Sequence, residues 1–231
     1  FRSHTVCIGA EPHSEEQRKR IEQLLGVKAY NCFGMSEMNG PGVAFECTEQ
    51  NGLHIWEDNV IVEIVDPVTL QPVPEGEVGE LVLTTINREA MPLLRYRTRD
   101  LTCILPGDCP CGRTHKRLAR FKGRSDDMII LKGVNLFPIQ IEKILMQFKE
   151  LGSNYLITLE TIGNSDEMLI EVELSDLFTD DYSALQRLTK GITRQLKDEL
   201  LLTPRIKLVA KGSLPTTDGK AVRVKDHRKL C

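Results

Sequence analysis

"GRSDDMIILKGVNLFPIQIEKI", residues 123–144, decides how the chain is divided. Two acids, Asp126 and Asp127, stand between Gly123-Arg124 and the apolar run Met128–Leu131, and Lys132-Gly133-Val134-Asn135 then breaks the pattern. Carboxylates at a strand entrance cannot be buried without partners, so they mark a wet junction and not core. The texture differs on its two sides. Downstream the order reads β, α, β, β, α, β: a strand "MIIL", a helix "PIQIEKILMQFKE" with Pro138 in its first turn, and a hairpin "NYLITLE"/"EMLIEVEL" split at Gly163-Asn164. A long helix over 181–202, weakened at Gly191, and "RIKLVAKG" as the last strand complete it. Upstream, "SEEQRKRIEQLLG" (14–26) is an amphipathic helix capped by Ser14 and stopped by Gly26. After it come short alternating runs: "GVAFEC" and "LHIWE" around a Gln50-Asn51-Gly52 turn, then "VIVEIVD", a Pro-rich turn and "EVGELVLTT". They make a compact β subdomain over roughly 42–105. The expected class is α+β in two domains, 1–124 and 125–231, with a hinge near 124–127.

The totals fit soluble globular domains: 231 residues, 41% apolar and 27% charged. A net charge of −3 gives no electrostatic reason to expect nucleic acid as a partner. No run is apolar and long enough to span a bilayer, and residues 1–30 lack a signal-peptide pattern. No membrane association and a cytoplasmic location are expected. The seven cysteines are unevenly spread, which argues for a reducing compartment and against a disulfide framework.

Three stretches carry chemistry. In "YNCFGMSE" (30–37) an aromatic in a loop beside Gly can stack on a flat base, while Ser36 and Glu37 can reach phosphate oxygens and a hydrated Mg²⁺. In "YRTRD" (96–100) Asp100 can accept both hydroxyls of a ribose. In "LPTTDGKAVR" (214–223) a Gly turn holds Lys220, a compact positive charge suited to phosphoryl chemistry. Taken singly, the plainer readings are a Gly turn with solvated Glu37, an exposed Arg–Asp pair, and a surface lysine.

Together, in this order, they resemble the C-terminal half of the adenylate-forming acyl-CoA ligases, and within these the phenylacetate-CoA ligase branch. "GAEP" (9–12), "FGMSE" (33–37), "GPGV" (40–43), "YRTRD", "GRSDDMIILKGVNLFP" and "LPTTDGKAVRV" carry the likeness nearly end to end. The resemblance implies an ATP site of Gly9, Ala10, Glu11, Pro12, Phe33, Gly34, Met35, Ser36, Asp100 and Arg124. Phe33 would lie against adenine, Ser36 on the α-phosphate, and Asp100 on the ribose, helped by Arg124. Glu37 would hold Mg²⁺, and Lys220 would neutralise the α-phosphate during adenylation. Gly40, Pro41 and Gly42 would wall the acid pocket. Asp126 matches the hinge about which a small C-terminal lid rotates, bringing Gly133 and Asn135 to the CoA channel in the second step. The implied reaction converts phenylacetate or a related aryl acid to its CoA thioester through an acyl-adenylate, with ATP and CoA as substrates. Two departures stand out. Arg99 occupies a place where the wider superfamily usually has Gly, and the loop that grips the β- and γ-phosphates would lie upstream of Phe1. The chain therefore reads as half of an enzyme, expected to be inactive alone; a homodimer is suggested by family likeness only.

The cysteines give a further expectation. A turn over Glu49–Gly52 would set Cys47 directly opposite His54, and with Cys109 and Cys111 of "GDCPCGRTH" (107–115) they would form a closed structural zinc set, with Cys103 or His115 as substitutes. The plainer alternative is two buried thiols, an exposed pair and a surface His. Beside it, "HKRLARFKGR" (115–124) keeps open a rival, a non-catalytic zinc-containing module that binds nucleotide or nucleic acid. A solvated face, or a patch attracting CoA phosphates, explains that run better.

Overall fold

A computed structural model describes residues 4–38, 40–176, 182–215 and 221–228. The chain divides into two compact units, one of Phe1–Pro12 with Arg18–Asp127 and the other of His13–Gln17 with Met128–Cys231.

The first unit holds two sheets. Strand β1 (Thr5–Ile8) lies parallel to β2 (Lys28–Met35), and helix α1 (Glu15–Leu25) makes the connection. The helix begins where the Ser14 hydroxyl accepts the Gln17 N–H at 3.2 Å and ends at Gly26, whose φ of 64° suits a glycine stop. A 3₁₀ turn (Ser36–Met38) leads to β3 (Gly40–Glu46) and β4 (Leu53–Ile55). Next come β5 (Val60–Val65), β6 (Gly79–Thr85), β7 (Tyr96–Thr102), β8 (Ile104–Leu105), β9 (Arg117–Leu118) and β10 (Gly123–Arg124). The six-stranded sheet runs β1-β2-β3-β4-β9-β8 and the four-stranded one β10-β7-β6-β5. Val43, Leu53, Ile55, Leu81, Leu83 and Leu118 are essentially sealed from solvent between them. The β region thus continues past 105, to Arg124.

In the second unit, β11 (Ile129–Leu131) and β12 (Val134–Leu136) form a hairpin whose Lys132 and Gly133 have φ of 50° and 79°, the double positive value of a tight primed turn. Helix α2 spans Pro138–Leu145 and not 138–150; the Gln140 side chain accepts the Phe137 N–H at 2.8 Å at its start. Long strands β13 (Leu151–Ile162) and β14 (Ser165–Leu174) pair across Gly163-Asn164 as expected. Helix α3 (Tyr182–Leu200) lays Leu188, Ile192, Leu196 and Leu200 as one buried stripe on the sheet. The strand β15 (Arg205–Val209) is not the last: β16 (Val224–Asp226) follows and pairs with β13, giving the order β15-β14-β13-β16. Among the described residues no helix is long and apolar enough to cross a membrane.

Candidate functional site

Parallel strands end at the same edge of a sheet, and ligands of α/β proteins favour that edge. Here β1 and β2 run in register, Thr5 with Lys28 through Ile8 with Asn31. "GAEP" therefore leaves the end of β1 beside Phe33–Glu37 at the end of β2. Ala10 takes a φ of 70° in this exit. Gly9 is forced by close approach: a Cβ there would lie 2.6 Å from both the carbonyl oxygen and the thiol of Cys32. Burial, and then the neighbouring Cys7, push that thiol up to about 12, which disfavours the thiolate.

Phe33, Gly34 and Met35 are on a strand and not in the expected loop. Phe33 spends part of its ring on Phe121, centroid to centroid 4.4 Å. Ser36 and Glu37 are exposed on the 3₁₀ turn, and the Arg88 guanidinium donates to the Glu37 carbonyl oxygen, a contact the sequence did not announce. Among the described residues, nothing lies within 4 Å of where a Cβ would be at Gly40 (φ 96°) or Gly42; Pro41 lies on the same strand.

Asp100 owes its position to an irregularity. Between the pairs Glu80–Leu101 and Val82–Arg97, three residues of β7 face one of β6. Such a bulge re-aims side chains. It is fixed by the Thr98 hydroxyl, which donates to the Leu81 carbonyl at 3.0 Å and accepts the Asp100 N–H at 3.1 Å. Arg99 sits there with φ 69°, a value glycine adopts freely. Its guanidinium and that of Arg97 face fully buried Glu80, Arg97 through two bonds of 2.8 and 2.7 Å and Arg99 at 3.8 Å.

Arg124 pairs backbone to backbone with Asp100 and gathers three acids. Its Nη1 is 3.8 Å from Asp100, it chelates Asp126 with two bonds of 2.9 Å, and its Nε is 3.8 Å from Asp127. Asp126 and Asp127 are exposed, in keeping with a wet junction, and both also face the Arg124 guanidinium. The hydrogen-bonded Arg124 guanidinium, with a smaller opposing effect of burial, holds the Asp126 carboxyl below its usual range.

In the second unit, Gly133 and Asn135 are exposed on the β11–β12 hairpin, Asn135 opposite Ile130. Lys220 lies outside the described residues.

Cys47, His54, Cys109 and Cys111 converge, their ligand atoms all within 4.8 Å of one another. Cys47 Sγ is 3.7 Å from Cys109 Sγ, and Cys111 Sγ is 3.4 Å from His54 Nε2. A tetrahedral zinc with ~2.3 Å bonds to sulfur requires sulfurs about 3.7 Å apart, so the set fits. His54 Nδ1 lies 3.3 Å from the His115 carbonyl oxygen, the outer contact that orients a ligating imidazole with Nε2 facing the thiols. The route differs from the expected one: His54 pairs with Phe45, and Cys47 lies just beyond the strand. Cys103 is outside the set, and the His115 ring faces Asp58 at 3.5 Å. The adjoining basic run is largely engaged. Buried Arg117 donates to the carbonyls of Asn51, Gly107 and Asp108, Lys116 pairs with Glu75, and Arg120 lies 3.7 Å from Glu46.

Against known proteins, the AMP-binding enzyme family matches residues 2–87, and the AMP-binding enzyme C-terminal domain matches 133–228. A phenylacetate-coenzyme A ligase of Thermus thermophilus is 43% identical over 97% of this chain and 54% of its own length. A domain of a phenylacetate-coenzyme A ligase from Bacteroides vulgatus is 73% identical, covering 46% of this chain and 97% of that one (TM-score 0.44). The structure of a 2-hydroxyisobutyryl-CoA ligase with an acyl-AMP in the postadenylation state superposes with a TM-score of 0.89 at 31% identity, over 96% of this chain and 48% of that one. The chain spans about half the length of the curated relatives it matches. It belongs to the AMP-binding enzymes, and among these it is similar to phenylacetate-coenzyme A ligases over nearly its whole length.

Proposed function

We propose that this chain is the C-terminal part of an ATP-dependent acid–thiol ligase that converts phenylacetate, or a related aryl acid, to its CoA thioester through an acyl-adenylate. The observation that carries the reading is the common edge of β1 and β2, which sets "GAEP" beside "FGMSE". Gly9–Pro12, Phe33, Gly34 and Met35 line the adenine site, with Ser36 at the α-phosphate. Asp100 accepts from the ribose hydroxyls, its carboxylate held by the bulge and by Arg124. Glu37 is the residue that would hold Mg²⁺, which supplies charge neutralisation at the phosphates. Lys220 adds a positive charge as the acid attacks the α-phosphate. The side-chain-free Gly40 and Gly42 leave room for an aryl ring. Asp126 is the hinge between domain 1–124 and the lid 125–231, and Gly133 and Asn135 flank the CoA thiol in the second step. Cys47, His54, Cys109 and Cys111 would hold a structural zinc, closed because four protein ligands fill the tetrahedron. The protein handles small molecules and not nucleic acid, in the cytoplasm, and the homodimer is carried as part of the same reading.

Separating the two half-reactions tests it. With the upstream half of the family present, Lys220→Ala abolishes acid-dependent exchange of pyrophosphate into ATP yet spares thioester formation from supplied acyl-adenylate and CoA. Equal loss in both contradicts the assignment.

A further inference from the structure

The segment bearing Lys220 leaves β15 and returns as β16, and these strands are opposite edges of the four-stranded sheet. β15 therefore finishes, and β16 starts, at the end of the sheet where β14 finishes and β13 begins, and the crossing joins those two points in the chain. At that end β13 is irregular: between Leu151–Leu174 and Tyr155–Val172, three β13 residues stand against Glu173 alone. Gly152 permits the close approach, since a Cβ there would lie 3.2 Å from the Glu173 carbonyl oxygen. The bulge presents Asn154 to both ends of the crossing. Asn154 Nδ2 donates to Glu173 Oε1 at 3.2 Å, and Asn154 Oδ1 accepts from Arg223 Nη1 at 2.9 Å.

Glu173 holds the incoming end. Its Oε1 accepts the Leu214 N–H at 2.9 Å, and although burial works against charge, the N–H groups of Leu214 and Gly212 keep its carboxyl below the usual range. Arg223 holds the outgoing end, stacked 4.6 Å over the Tyr155 ring, with Nη1 also donating to the Tyr155 carbonyl at 3.4 Å. One amide thus joins the anchors on the two sides of the crossing.

We propose that Asn154 is a positioning residue for adenylation: by linking Glu173 to Arg223 it fixes both ends of the segment that delivers Lys220. The proposal rests on the ligase reading above. An amide serving only the sheet would affect stability and both half-reactions alike. One aimed at Lys220 delivery affects the first half-reaction alone, because the second does not use that lysine.

The test compares wild type, Asn154→Ala, Glu173→Gln and Glu173→Ala, in the protein with the family's upstream half. Two rates are read: phenylacetate-dependent pyrophosphate exchange, and thioester formation from supplied phenylacetyl-adenylate and CoA. Asn154→Ala lowers kcat of exchange about 10- to 100-fold, the cost of a small misplacement, with KM values within about twofold and the thioester rate preserved. Glu173→Gln, which retains an acceptor oxygen, keeps more exchange than Glu173→Ala, an arm that serves equally if Asn154→Ala fails to fold. Exchange at the wild-type rate in Asn154→Ala, or losses equal in both half-reactions and parallel to Tm, would overturn it. Failure of the ligase reading looks different: wild type is then silent with every acid tried, and this inference falls with it.

Discussion

Arg124 grips Asp126 with two parallel hydrogen bonds, Nε to Oδ1 and Nη2 to Oδ2, both 2.9 Å, while its Nη1 stands 3.8 Å from Asp100 Oδ1. One guanidinium therefore serves the acid assigned to the ribose and the acid assigned to the hinge. Bidentate guanidinium–carboxylate geometry is specific, but Asp126 is 50% exposed, so the pair contributes little to stability. Its folded-state carboxyl is depressed, so that small contribution is present above the ordinary carboxylate range and is lost as pH falls through the lowered value. Arg124→Gln should shift Tm by only about 2–4 °C at pH 7, and by less in acid, while raising KM for ATP. A large loss of stability at neutral pH would make Arg124 a structural residue.

Asp100 is the more direct test of nucleotide contact. Its side chain is only 15% exposed, and its carboxylate is placed by the bulge in β7. Hydrogen bonds to a charged group contribute about 1.5–3 kcal/mol, so Asp100→Ala should raise KM for ATP about 10- to 100-fold. KM for the acid should stay within about twofold. An unchanged KM for ATP in steady-state exchange kinetics would remove Asp100 from the site.

The four-ligand cluster makes a compositional prediction. Protein purified without added zinc should carry about one zinc per chain by elemental analysis, and Cys111→Ser or His54→Ala should lose it. Chelation should lower Tm, because a closed site couples metal binding to folding. Metal-free protein with all four groups titratable would refute the site.

Glu142 gives a pH prediction. Burial raises its carboxyl pKa, even though the Ser14 N–H (3.1 Å) and the Tyr155 hydroxyl (3.2 Å) donate to it. A raised folded-state pKa means the contribution is fully present below the unfolded value and is lost as pH rises through the folded one. Glu142→Gln keeps acceptor and shape without the charge. Its Tm should exceed wild type at pH 8, and the gap should close towards pH 4. A constant gap across that range would show that charge burial is not the cause.

Much of the fold could be read because its signals are local. Ser14 and Gly26 bound α1, and Gly163-Asn164 splits β13 from β14. What escaped has physical reasons. The β1–β2 pair is short and interrupted by small and polar residues, so it carries no clear alternation. The β11–β12 turn uses Lys132 at positive φ where Asn or Asp is the usual cue. β16 is three residues long and exists because β13 offers it an edge. For the candidate site, residue types in order singled out Phe33, Asp100 and Arg124 as residues to propose. They could not show that a bulge aims Asp100, since a bulge is a property of register between two strands. Arg99 was the exception: its departure from glycine falls on a backbone at φ 69°. Arg88, Asn154 and Glu173 left no sequence signal, because their meaning lies in partners 19 to 69 residues away.

The most direct measurement is AMP release from ATP, Mg²⁺, CoA and phenylacetate, with this chain alone and with the chain joined to the upstream half its relatives carry. The account predicts AMP and phenylacetyl-CoA in equal amounts from the joined protein and none from the chain alone. Folded, joined protein that releases no AMP with phenylacetate or any other aryl acid would contradict it.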